Sequence, residues 1–79
     1  MPKYFFTLYD DVITRDEEGV HLANADAAYA YALANVREMA CVEVQCGRLD
    51  LDHRIEVTDA SGELVLDLRF AEAVTVSGR

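Results

Sequence analysis

Hydrophobic and polar positions alternate with a period of two in three stretches of this chain, and follow a helical period in a fourth. The run Lys3-Tyr4-Phe5-Phe6-Thr7-Leu8-Tyr9 is aromatic or apolar almost throughout and too short for a helix, so it reads as a strand. Tyr4, Phe6 and Leu8 fall on one face, and Phe5, Thr7 and Tyr9 on the other. Both faces carry aromatic rings, which implies a sheet with no fully wet side. Arg54-Ile55-Glu56-Val57-Thr58 alternates cleanly, with Ile55 and Val57 inward. Asp59-Ala60-Ser61-Gly62 is built from turn-forming residues, and Leu64-Val65-Leu66-Asp67-Leu68 returns as the second arm of a hairpin with its leucines inward.

Between these strands lies a helix. Asn24 or Asp26 can cap it, because a side-chain oxygen there satisfies a first-turn backbone N–H. Alanines at 25, 27, 28, 30, 32 and 34 favour helix strongly. At 100° per residue, Tyr29, Ala32, Leu33, Val36, Met39 and Ala40 share one arc, with Arg37 and Glu38 among the polar residues opposite. The stretch Cys41-Val42-Glu43-Val44-Gln45-Cys46 also alternates with period two. No breaker separates it from the preceding helix, so the helix is extended through it to Gly47, a natural C′ residue. Such a helix of roughly 20 residues is ~30 Å long against a strand of ~20 Å, so its overhang needs solvent, a loop or another molecule beside it.

Val12 to Leu22 reads as an extended arm or short hairpin turning at Asp16-Glu17-Glu18-Gly19, and Phe70 to Val74 as a helical turn or a tuck against the sheet. The expected fold class is α+β: a small antiparallel sheet of three to four strands with one long helix packed on one face, in the order β-arm-α-β-β. Residues 1–76 form a single domain, and 77–79 a frayed C-terminus.

Seventy-nine residues suffice for only one core, and 52% hydrophobic composition is generous for that size. The formal net charge of −8 lacks the basic patch that phosphate contacts require, so nucleic acid is not an expected partner, nor is an anionic membrane surface. Two cysteines are too few for a disulfide scaffold, and neither a signal-peptide run nor a membrane span is visible. A cytoplasmic location is expected.

Candidate chemistry is sparse. Cys41 and Cys46, five apart on a helix, diverge by about 140° and lack zinc-knuckle spacing. Asp50, Asp52 and His53, with Asp10, Asp11, Asp16, Glu17 and Glu18, read as solvated loop carboxylates without the calcium-loop pattern. Ser61, His53 and Asp59 lack the loop that accompanies a nucleophilic triad. No catalytic, cofactor-binding or metal-binding residue is expected, and the chain does not read as an enzyme. The expected functional feature is a surface: Phe5, Tyr9 and Val65 on the sheet face away from the helix, and Tyr31 and Val42 on the outer side of the helix. Unless the arm folds over that face, these residues suit a protein-interaction or homodimerisation module bound to a protein partner or to a second copy. The alternative is a small metal- or ligand-binding regulatory protein using the acidic loop and His53.

The segments Met1-Pro2-Lys3-Tyr4-Phe5-Phe6, Asp16-Glu17-Glu18-Gly19-Val20, Gly47-Arg48-Leu49, Arg54-Ile55-Glu56-Val57-Thr58-Asp59 and Phe70-Ala71-Glu72-Ala73-Val74 occur in an order and spacing that is familiar. The chain resembles a bacterial family of short single-domain proteins of unknown function, over nearly its whole length. That resemblance implies a helix continuing to about Gln45 and brings no reaction, ligand or catalytic residue. The sequence departs from the family pattern at Cys41–Cys46, which is more charged in members, and at Thr7. A strand, an acidic turn with Gly, a short strand and an Ala-rich helix also resemble the start of antitoxin domains of the HicB type. This is an antitoxin-like analogy at the level of fold alone.

Overall fold

The period-two segments form strands and the alanine-rich segment a helix in the computed structural model, which describes residues 1–78. In chain order these are β1 (Lys3–Tyr9), β2 (Ile13–Arg15), β3 (Val20–His21), α1 (Ala25–Gln45), β4 (Arg54–Asp59), β5 (Leu64–Arg69) and α2 (Phe70–Ala73). The fold is α+β, with a five-stranded antiparallel sheet ordered β2-β1-β4-β5 and β3 also paired to β1. Tyr4 pairs with Asp59 across one edge of β1 and with Val20 across the other, so β2 and β3 share the edge that β4 does not use. Of the C-terminus expected to fray, Arg79 lies outside the described residues.

The helix begins and ends where its caps dictate. Asn24 Oδ1 accepts the Ala27 N–H at 2.9 Å. At the other end Gly47 takes φ +91°, its N–H donates to Val44 O and the Arg48 N–H to Glu43 O. That pair of bonds is a Schellman motif, which only a residue tolerant of positive φ closes at low cost. The ambiguous segment 41–46 is therefore helical through Gln45, and Val42 and Val44 stand exposed on it.

One row of α1 meets the sheet. Ala28, Ala32, Val36 and Ala40, spaced by four, are buried against Tyr4, Phe6, Ile55, Val57, Leu68, Phe70 and Ala73. Three of the four are alanines, so the helix axis comes close to the sheet, and α1 lies over β4, β5 and α2. Arg37 Nε donates to Ala73 O at 2.9 Å and holds the two helices together. Tyr29, expected on the buried arc, is instead 46% exposed. It stands about 100° around the helix from Ala28, where the buried row begins.

A bulge corrects the reading of β5. Val57 pairs with Leu66 but Thr58 pairs with Leu64, so Val65 is the extra residue and the alternation shifts across it. Leu66 and Leu68 face the helix as expected. Leu64, opposite Thr58, is on the far face and 56% exposed. Val65, expected on that far face, is half-buried against the core.

The arm does not cross the second face. It lengthens the edge of β1, interrupted where Asp16 Oδ1 accepts the Glu18 and Gly19 N–H groups and Oδ2 receives the Phe6 N–H at 3.5 Å. Gly19 adopts φ +77°, and a Cβ there would stand 2.8 Å from Lys3 Cε and 3.0 Å from the Phe5 ring. Packing of the alanine row carries a direct test. Ala32→Leu should lower stability by about 1–3 kcal/mol through overpacking, while Val44→Ala on the exposed side should change it by less than about 0.5 kcal/mol. Urea denaturation midpoints of the two variants check the contrast.

Candidate functional site

The second sheet face is charged rather than apolar. The Arg54 guanidinium lies 4.2 Å above the Tyr9 ring, and the Tyr9 hydroxyl donates to Glu56 Oε1 at 3.0 Å. Arg54 also approaches Glu56 Oε2 at 3.3 Å and Asp67 Oδ1 at 3.4 Å. The hydrogen bond to Glu56, with partial burial and the charge of that carboxylate, pushes the Tyr9 hydroxyl above its usual range. Phe5 is half-buried, packed beside Gly19, with the Lys3 ammonium 5.7 Å from its ring centre. Phe5 and Tyr9 thus share the expected face but form no open apolar patch.

The open apolar surface is on the other side, beside the helix. With α1 seated over β4 and β5, the inward face of β1 and β2 is only partly covered. Tyr31, Asn35, Met39 and Val42, at steps of four, four and three, make a stripe along the α1 flank that overlooks it. The Tyr31 ring packs on Phe6 with centroids 4.8 Å apart, so it faces the sheet and not the outer side of the helix as expected. Phe6, Leu8, Ile55, Val36, Tyr31 and Met39 give a groove of ≈ 220 Å³ its apolar walls, with Thr14, Arg15, Asp16 and Asn35 at its rim. At Met39 it meets a second hollow of ≈ 250 Å³ containing Val42, Cys46, Asp10, Asp11, Glu43, Arg48 and His53. Val42 is 50% exposed at that end. The buried row drifts around the helix by about 40° every four residues, so the flank bearing Tyr31 and Val42 lies progressively further from it and Val42 is left exposed.

His53 closes the far end of the groove. It is the one buried polar or charged residue among the described residues. Its Nδ1 donates to Glu43 Oε2 at 2.6 Å, while Nε2 lies 3.3 Å from Asp50 Oδ2 and 3.7 Å from Asp11 Oδ1. Glu43 Oε1 accepts the Asp50 N–H at 3.0 Å, and Arg48 holds Asp11 at 2.7 Å. The Phe70 ring stands edge-on to the imidazole, its N–H donates to His53 O at 2.8 Å, and the Ala71 N–H donates to Leu51 O. The histidine therefore ties the last turns of α1, the β1–β2 turn, the loop before β4 and α2 into one knot. Burial works against its charge and is the largest single influence. The Glu43 hydrogen bond and the charges of Glu43, Asp50 and Asp11 together outweigh it and raise the pKa above 6.5.

Both ring nitrogens face carboxylates, so the surroundings favour the protonated imidazole over the neutral one. Of the loop carboxylates singled out in the sequence, Asp11 and Asp50 join His53. Asp52 is exposed and its N–H caps Asp50 Oδ1. Glu43 was missed, because no local spacing links a residue in the last helical turns to a loop ten positions later. Among the described residues no group of three or more His, Cys, Asp or Glu side chains is disposed to hold a metal ion, and Cys41 and Cys46 are exposed and unbonded. Ser61 and Asp59 are apart from His53: the Ser61 hydroxyl donates to Asp59 Oδ1 at 2.6 Å in the β4–β5 turn, at the opposite end of β4. That bond and the backbone N–H groups of Glu63, Ser61 and Gly62 lower the Asp59 pKa.

A raised His53 pKa fixes the sign of a pH effect. The native chain binds this proton more tightly than the unfolded chain, so the stabilisation is complete below about pH 6.5 and is lost as pH rises through the higher native value. Denaturation midpoints between pH 6 and 9 should fall with rising pH in the native sequence. Glu43→Gln should flatten this dependence and lower stability at pH 6 by about 1–3 kcal/mol. A midpoint that climbs over this interval would contradict the assignment.

No helix of the described residues is long and apolar enough to cross a membrane. Comparison with curated proteins and with solved structures gives no significant match. The sequence profile of one family matches residues 3–71, spanning all five strands, α1, and the knot at His53. The chain belongs to that family, a domain of unknown function, DUF6894.

Proposed function

We propose that this chain is a non-catalytic protein-interaction module that binds through the groove between α1 and the β1–β2 edge, and that it works in the cytoplasm. The observation that carries this reading is the partly covered Leu8 end of the inward face of β1 beside β2, where Leu8, Tyr31 and Met39 line one groove and Val42 extends it. Apolar surface left open beside a formed core favours association, because burying it gains roughly 25 cal/mol per Å². The first half of the groove is smaller than the ~300–1,000 Å³ typical of cofactor and drug-sized ligand sites, which favours a side chain of another polypeptide as its occupant. The net charge of −8 disfavours nucleic acid and anionic membrane as partners. The reading that uses His53 as a metal or ligand site is less favoured, since its carboxylates are already engaged by the imidazole and by Arg48. An antitoxin-like role would be one form of partner binding, and no feature of the groove singles it out.

A photo-crosslinking side chain tests the reading in the cells that produce the protein. Placed at the exposed position 42, it should give one or two discrete polypeptide adducts, and placed at Ala60 in the β4–β5 turn it should give none of these. Equal labelling from both positions, or no adduct from position 42, would count against the groove as a binding surface.

A further inference from the structure

We infer that the groove takes an extended, basic segment of another protein, with an apolar side chain anchored beside Met39 and lysine or arginine residues on either side of it. This rests on the interaction reading above and specifies the partner's chemistry. Three observations carry it.

The first is shape. From Tyr31 to Val42 the α1 flank rises about 16 Å at 1.5 Å per residue, which matches about five residues of extended chain at ~3.3 Å each. The other wall ends in β2, which is last in the strand order and has all three of its residues exposed, so its outer backbone edge has no strand partner among the described residues. A segment laid along β2 adds a strand there, and alternate side chains then point over the inward face. Strand addition of this kind supplies main-chain hydrogen bonds to a partner of any sequence, and the pocket supplies the selection.

The second is volume. A hollow of ≈ 220 Å³ between Phe6, Leu8, Ile55, Tyr31 and Met39 accommodates one large apolar side chain and no second one. The partner therefore presents a single dominant anchor, as hot spots at protein interfaces do.

The third is charge. At the Tyr31 end Asp16 and Arg15 line the groove, and Glu17 and Glu18 follow directly in the chain; at the Val42 end Asp10, Asp11 and Glu43 stand against Arg48 and His53, so each end carries more acidic than basic side chains. Arg48 and His53 are neutralised within the knot by Asp11, Glu43 and Asp50, and Arg15, also a cation of the rim, is outnumbered by its chain neighbours Asp16, Glu17 and Glu18. Glu17 and Glu18 make no side-chain hydrogen bond or ion pair among the described residues. A second copy, itself at net −8, meets this rim with like charge, whereas a cationic segment is attracted.

The test is selection of a random dodecapeptide display library against the intact protein at 50 mM salt. Enriched peptides should carry one Leu, Ile, Met or Phe flanked by Lys or Arg. The best of them, made synthetically, should bind with Kd of order 1–100 μM. Met39→Glu should weaken it about tenfold or more. Glu17→Gln with Glu18→Gln should weaken it several-fold and reduce its salt dependence. Thr58→Ala on the opposite face should leave it unchanged, and circular dichroism of each variant confirms that it is folded. Enriched peptides that are neutral or acidic, yet still respond to Met39→Glu, overturn the basic-partner inference and leave the groove reading standing. Enriched peptides insensitive to Met39→Glu overturn both. Failure to enrich any peptide, with light scattering showing twice the 8.8 kDa monomer mass and Met39→Glu restoring the monomer, assigns the groove to a second copy. That outcome overturns the basic segment alone. A monomer that enriches no peptide overturns both.

Discussion

An α-helix with its side chains is about 10–12 Å across, while four strands spaced ~4.8 Å apart set their outer axes about 14 Å from each other before side chains are added. One helix therefore cannot cover this sheet, and where it lies decides which strands go without cover. The row Ala28, Ala32, Val36 and Ala40 seats α1 over β4 and β5, and the bond from Arg37 to the end of α2 keeps it there. What is left only partly covered is the Leu8 end of the inward face of β1, with the short β2 beside it. The groove follows from that mismatch in width rather than from any special residue within it.

The polar knot at His53 supports the same arrangement from the helix C-terminus. A buried imidazolium is costly unless its protons meet acceptors, and here Glu43, Asp50 and Asp11 arrive from three different segments to receive or face them. Each of these segments is thereby fixed relative to α2, through the backbone bonds that join Phe70 to His53 and Ala71 to Leu51. The knot has a second effect on the groove, because it removes the charges of His53 and Arg48 from the rim. Among the described residues Arg15 is then the one cation left at the rim, and the carboxylates of Asp16, Glu17 and Glu18 beside it outnumber it.

Much of the architecture was legible in the sequence, because its signals are local. Asn24 and Gly47 mark the ends of α1, and period-two alternation marks β1, β4 and β5. The family resemblance agreed with both. What was not legible depends on pairing between distant residues. The bulge at Val65 cannot be seen until Thr58 is known to pair with Leu64, and it exchanged the faces assigned to Leu64 and Val65. Val42 is exposed on the helix, but Tyr31 packs on Phe6 instead of facing outward, a contact between distant residues that the helical period alone does not show. Phe5 and Tyr9 were placed on the right face, yet the stacking of Arg54 and the carboxylate of Glu56 are contacts between strands that no single-strand pattern reveals. Glu43 was invisible for the same reason.

At the groove, the half-buried Leu8 and Met39 are reached by solvent, whereas the face under α1 is closed. Methyl NMR with a soluble paramagnetic relaxation agent measures this most directly, on the isolated protein at low concentration. The methyl groups of Leu8 and Met39, half-buried at the groove, should show clearly stronger relaxation enhancement than those of Val57 and Leu68, which lie beneath the helix. Leu8 and Met39 methyls as protected as those of Val57 would contradict it, and would mean that the groove is filled in the free molecule.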